Sequence, residues 1–240
     1  MLNYIRMAGI AFVGFALASA AIAEGGAGKA PVHFFTHGDT RLAKLEPGGE
    51  LRGKAVGLIG CMMTAVGVPY DLEIAPMSRS SRITDSDSHN VWVPAAHDGD
   101  DSRLARMIGP FDTIPVYWYF RDGEMYDPSS KTFRTEALVT AYQGSHLEAY
   151  LLENGYRFRQ GSAHHAQLLY FLLNHDVDAI LSVDFTHMLS SRQRAEALDR
   201  VNILHWGSRD VSMLASEGLY RDRPGLVDDM RVALAGCSAG

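Results

Sequence analysis

The 240-residue chain is 47% apolar, 10% aromatic and 21% charged. That is the composition of a globular protein, and it excludes a disordered tail, a collagen-like repeat and a polytopic membrane protein. Its 22 Lys and Arg stand against 28 Asp and Glu, a formal charge of -6 at pH 7, and no half is strongly basic, which argues against a nucleic-acid footprint.

In residues 1–23, Arg6 precedes an uncharged run that ends in Ala21-Ile22-Ala23. A basic start, an apolar stretch and an A-x-A end are the pattern of a cleaved export signal. The run is at the short limit for a spanning helix and no basic stop-transfer flank follows it. The mature protein is therefore expected in the periplasm, starting with a flexible leader over 24–30. Export places Cys61 and Cys237 in an oxidising compartment, where an even pair is expected to bridge. Two separate buried thiols are the alternative.

Residues 32–36 predict a strand, followed by turns around Pro47-Gly48-Gly49. From 51 to 67, Leu51, Ala55, Leu58, Ile59, Met62, Met63 and Val66 recur at helical spacing up to Gly67. Residues 70–74 alternate as a strand, and 77–83 suggest a short helix. The stretch 84–101 is polar and turn-rich around one apolar patch, Val91-Trp92-Val93. Residues 114–120 are strongly β-prone. Beyond Asp122-Gly123, strands are expected at 137–142, 156–159, 178–183 and 201–206. Helices are expected at 146–154, 162–175 (capped by Ser162), 186–198 and 225–235. Alternating strands and helices over one chain argue an α/β fold.

Certain segments carry a resemblance. A helix runs into Gly67-Val68-Pro69-Tyr70-Asp71-Leu72-Glu73-Ile74-Ala75-Pro76-Met77-Ser78-Arg79. Arg103 is followed by Gly109-Pro110 and Tyr117-Trp118-Tyr119. Further on come Gly144-Ser145, Leu152-Glu153-Asn154-Gly155-Tyr156, Val177-Asp178-Ala179-Ile180 and Arg223-Pro224-Gly225. In this order they resemble type 2 periplasmic solute-binding proteins, the bacterial extracellular family 3. The resemblance implies two α/β lobes joined by a double crossover, with lobe one from 24–116 and 201–240 and lobe two from 117–200. Ligand would sit in the cleft, and the lobes would hinge at 117–121 and 199–206. A Cys61–Cys237 bridge would then fasten the last helix to the first within lobe one. It further implies a monomer that captures a small polar, carboxylate-bearing, amino-acid-like solute for transport, with an inner-membrane transporter or sensor as partner. Neither a cofactor nor an enzymatic activity is implied. The chain departs from the family at 36–40, which lacks the usual proline loop, and at 84–89. Val183 stands where a ligand acid usually falls, with Asp184 one residue later.

Gly144-Ser145 at a strand-to-helix turn is a candidate anion site through free N–H groups and the helix dipole, or else a plain N-cap. Arg103 and Arg79 are candidates to clamp a ligand carboxylate, against the alternative of surface ion pairs. Trp118, with Trp92, Tyr117 and Tyr119, offers either a stacking wall or core packing. Asp184 is a candidate for a ligand amine or for a helix N-terminus. The ten histidines are expected to be scattered over the surface, with no metal site, because neither H-E-x-x-H nor closely spaced cysteines of the C-x-x-C kind occur. Asp98-Gly99-Asp100-Asp101 is expected as a solvated loop. Catalytic signatures such as G-x-S-x-G, S-x-x-K and the P-loop are missing. Two rival readings share the fold: an exported dehydratase-like enzyme using Asp184 or a histidine as base, and a ligand-free sensor or assembly subunit.

Overall fold

The computed structural model describes residues 30–238, apart from 39–40, 98–100 and 125. The expected export signal, the leader up to residue 29 and most of the 98–101 loop lie outside the described residues. No helix of the described residues is long and apolar enough to cross a membrane.

Strand β1 (Val32–Thr36) alternates buried and half-buried residues. A small hairpin follows, β2 (Lys44–Leu45) with β3 (Leu51–Arg52). The hairpin takes Leu51 and Arg52 from the expected helix, so α1 is Lys54–Val66, burying Ala55, Leu58, Ile59, Met62 and Met63. It stops at Gly67, whose left-handed φ of 62° turns its N–H back onto the Met63 and Thr64 carbonyls. Next come β4 (Tyr70–Ile74), a 3-10 turn at Met77–Arg79, α2 (Ser80–Thr84) and β5 (Asn90–Ala95). The 3-10 turn Asp101–Arg106 leads into β6 (Met107–Arg121). Then follow α3 (Lys131–Glu136), β7 (Val139–Ala141), α4 (His146–Glu153), α5 (His165–Leu173) and β8 (Ala179–Val183). A 3-10 turn, Thr186–Met188, precedes α6 (Ser191–Leu198), β9 (Val201–Ala215), α7 (Glu217–Asp222) and α8 (Pro224–Ser238).

The large sheet has the order β4-β1-β5-β9-β6-β8-β7. Strands β4, β1 and β5 run parallel at one end, as do β8 and β7 at the other. Between them β6 and β9, each of 15 residues, lie antiparallel along their length. These two strands are the double crossover. Ile108 and Phe111 pack with Val32, Phe34, Ile59 and Met230 in one core, whereas Val116, Trp118 and Phe120 pack with Phe133, Leu151 and Leu181 in another. On the return, Val201 joins Leu168, Ile180 and Phe185, and Val211 and Met213 rejoin the first core. The chain thus changes lobes inside each strand, between 111 and 116 going out and between 201 and 211 coming back.

Helices α1 and α8 cover the first core, and Cys61 bridges Cys237 between them across 176 residues, with Cα atoms 6.1 Å apart. The expected disulfide is present.

Several expectations are corrected by the fold. The apolar patch at Val91-Trp92-Val93 is not an island in a loop but strand β5, paired with β1 and β9. Both its faces are buried, so it lacks the alternation that marks a half-buried strand. The strands expected at 114–120 and 201–206 are fragments of β6 and β9, which run on through Gly109-Pro110 and Gly207-Ser208. Residues 156–159 form only an isolated bridge through Phe158 to Val139. Helix α5 begins at His165, and Ser162 accepts from the His164 N–H instead of capping a helix that starts beside it.

Candidate ligand-binding cleft

The parallel strands end on one line. The residue just past β1 is His37, just past β7 is Tyr142, and just past β8 is Asp184. Carboxyl ends of strands are where open α/β sheets place ligands, because helix N-termini and loops converge there. A cavity of ≈ 310 Å³ opens at this line, between the lobes and against the crossing segments Asp112 to Pro115 of β6 and Arg209 to Val211 of β9. Its size falls at the lower end of small-molecule sites.

The first lobe contributes His37, Arg41, Met77 and Pro94; the second contributes Tyr142, Ser145, His165, Asp184 and His187. The lobes touch through these groups. Arg41 Nη2 lies 2.9 Å from Asp184 Oδ2, and the rings of His37 and Tyr142 are 5.8 Å apart between centroids. Tyr142 in turn meets His165 at 4.6 Å, and His165 stacks on Phe185 at 5.2 Å. These spacings suit attractive aromatic pairs.

Burial pushes His37 down to about 4. Burial, reinforced by the positive charge His37, His187 and His164 would carry, pushes His165 down to about 3. Both rings are neutral at pH 7. Nδ1 of His165 is buried and, among the described residues, has no hydrogen-bond partner.

Asp184 Oδ1 accepts from the Thr186 N–H at 3.0 Å and from the Thr186 hydroxyl at 2.6 Å. Burial alone would raise this carboxyl, but the Thr186 hydrogen bonds and the Arg41 charge outweigh it and hold it below the usual range. Asp112 faces Lys54 Nζ at 3.1 Å, and Asp210 accepts from the Thr113 hydroxyl at 2.8 Å.

Of the ligand residues expected from sequence, the cavity wall contains Ser145 and Asp184. Arg79 is exposed on its 3-10 turn. Arg103 lies 3.7 Å from Asp85 in an ion pair. Trp118 is fully buried in the second lobe, edge-on to Phe133 at 5.3 Å. Gly144 packs against Ser78 of the first lobe. The helix N-terminus at Ser145 is already capped: Ser145 Oγ accepts from the Glu148 N–H at 3.2 Å, and the Glu148 carboxylate accepts from the Gly144 N–H. The cations on the cavity wall are Arg41 and Arg209, neither of which sequence reasoning selected. The expectation of surface histidines is corrected for His37, His146, His165 and His187, all of which line the cavity. Among the described residues no three His, Cys, Asp or Glu side chains gather as a metal group.

No protein-family model and no curated protein matches the chain by sequence. Solved structures match along most of its length. A histidine kinase sensor domain with similarity to periplasmic binding proteins superposes with a TM-score of 0.70 at 13% identity, over 86% of this chain and 90% of its own. An ancestral arginine-binding protein bound to glutamine gives 0.67 at 14%, over 87% and 92%. The chain has the type 2 periplasmic binding protein fold. An ancestral amino-acid-binding protein, described as a precursor of cyclohexadienyl dehydratase, has the same fold at 0.65 and 12%, over 87% and 89%. The periplasmic binding protein fold accounts for the crossing strands and for a cavity walled by both lobes.

Proposed function

We propose that the protein is a periplasmic solute-binding protein that captures a small polar, carboxylate-bearing solute between its lobes and presents it to an inner-membrane transporter or sensor. The observation that carries this reading is the ≈ 310 Å³ cavity at the strand ends, walled by both lobes and floored by both crossing strands. Structural neighbours that bind glutamine or other amino acids support it by fold. Arg209 is the wall residue suited to a carboxylate, since a guanidinium presents several donors in a plane. Hinge motion would use the segments of β6 and β9 between the two cores.

A dehydratase-like enzyme finds less support. A general base near pH 7 needs a pKa close to that pH. His37 and His165 lie well below it, and Asp184 is tied to Arg41 and Thr186. A ligand-free sensor would need no open cavity between its lobes.

A thermal-shift screen of the purified chain against amino acids, organic acids and sugars tests the reading. A true ligand at a hundredfold excess over its Kd adds about 2.7 kcal/mol of stability. No shift from any class would refute solute capture.

A further inference from the structure

The contacts between the lobes differ in kind. Arg41 and Asp184 meet at 2.9 Å, but the arginine side chain is 65% exposed, and an exposed ion pair contributes little. His37 adds a ring contact to Tyr142 at 5.8 Å. The 3-10 turn Met77–Arg79 adds an apolar contact. Half-buried Met77 packs against the first lobe's cluster of Ala75, Trp92, Ala95 and Leu214. It also packs against the second lobe's core, which holds Tyr142, Leu168 and Phe185. Among the described residues no other half-buried apolar side chain packs against cores of both lobes.

The turn that carries Met77 is fixed on the first lobe. The Ala75 N–H donates to the Thr36 carbonyl at 2.7 Å, and the Arg79 N–H donates to the Pro76 carbonyl at 2.9 Å. Pro76 sets the entry to the turn at φ -56°, the value its ring imposes. The receiving surface of the second lobe is equally defined. Gly144 meets the Ser78 backbone so closely that a β-carbon there would stand 2.9 Å from it, and the Gly144 N–H is held by the Glu148 carboxylate. Met77 lines the cavity as well. An unbranched, polarisable side chain suits a place where two cores and a cavity meet, because it fills irregular gaps.

We propose that Met77 is a positioning residue for lobe closure: carried on the Met77–Arg79 turn, it seats against the second lobe's core and keeps the cleft closed through the protein's own contacts. This goes beyond the solute-binding reading and does not depend on it. Solute then enters only when the turn leaves its seat, so one residue both walls the cavity and gates it.

The test needs no solute. X-ray scattering and amide hydrogen exchange at pH 7 compare the purified wild type with Met77→Ala, Met77→Gln, Met77→Leu and Arg41→Ala, and far-UV circular dichroism checks that each is folded. Met77→Ala removes the apolar contact, and Met77→Gln places an amide against an apolar core. Both should show a larger radius of gyration and about tenfold faster exchange over 77–79 and 143–146, the scale of uncovering a methionine side chain. Met77→Leu keeps the apolar volume and should match the wild type in both readouts, as should Arg41→Ala. Wild-type radius and exchange in Met77→Ala, equal opening in Met77→Leu, or greater opening in Arg41→Ala would each overturn the inference. Those results leave solute capture standing, and a failed solute screen leaves the role of Met77 standing.

Discussion

A β-carbon placed on Gly144 would stand 2.9 Å from both the backbone N and the Cα of Ser78. Gly144 enters α4 of the second lobe with φ 75°, and Ser78 lies on the 3-10 turn of the first. Both the left-handed backbone and the contact exclude a side chain. Gly144→Ala should therefore separate the lobes at this point. The expected outcome is a stability loss of about 1–3 kcal/mol and a larger radius of gyration by X-ray scattering. An unchanged radius together with an unchanged melting temperature would show that the contact does not hold the lobes together.

The buried histidines predict an acid-sensitive cleft. His37 and His165 have folded-state values of about 4 and about 3, below the ordinary 6.5. The unfolded chain therefore binds more protons between those values and pH 6.5. Their contribution is fully present above pH 6.5 and declines as pH falls toward 4 and 3. From pH 7 to pH 5 the loss is about 2 kcal/mol per histidine. His165→Phe keeps the stack on Phe185 and removes one titrating group, so its stability should fall less over the same range. Equal slopes for variant and wild type in urea melts at pH 7, 6 and 5 would contradict this.

The fold was legible in the sequence where a local pattern and a burial pattern coincide. Ala55, Leu58, Ile59, Met62 and Met63 face one core and recur at helical spacing, so α1 was readable to within its first turn. Strand β5 was not, because Val91, Trp92 and Val93 are all buried and nothing alternates. Strands β6 and β9 were cut short because glycine and proline inside a long crossing strand look the same in sequence as those in a turn. The cleft was readable only one residue at a time. Asp184 and Ser145 lie on its wall, yet Arg41 and His165 became neighbours of the site only through the sheet order. One signal went unused: His37, Tyr142 and Asp184 each sit immediately after a strand that later proves parallel.

The bridge between Cys61 and Cys237 closes a loop of 176 residues. Loop entropy sets its contribution at roughly 5 kcal/mol as an upper figure, and 2–5 kcal/mol is typical of native bridges in small exported domains. The double variant Cys61→Ser, Cys237→Ser should lose about 2–5 kcal/mol in denaturant melts. Reductant should lower the wild-type midpoint and leave that of the variant unchanged. Equal midpoints for both proteins without reductant would contradict a stabilising bridge.

Arg121, at the end of β6, is 10% exposed and is held from several sides. Its guanidinium donates to the Leu172 and Val177 carbonyls at 3.1 and 2.5 Å and to Asp178 and Glu124 at 3.2 and 3.0 Å. Arg121→Ala removes one partner of a buried ion network and should lose about 3–5 kcal/mol. A loss under 1 kcal/mol in urea melts would mean that solvent replaces the guanidinium there.

The most direct measurement is calorimetric titration of the purified chain with the solute that gives the largest thermal shift, repeated on Tyr142→Ala, Arg209→Ala. Tyr142 and Arg209 line the cavity from a strand end and from a crossing strand. The account predicts one site per chain in the wild type and at least about a tenfold loss of affinity in the double variant. Affinity unchanged in the double variant would place the site elsewhere and contradict the cleft as the seat of function.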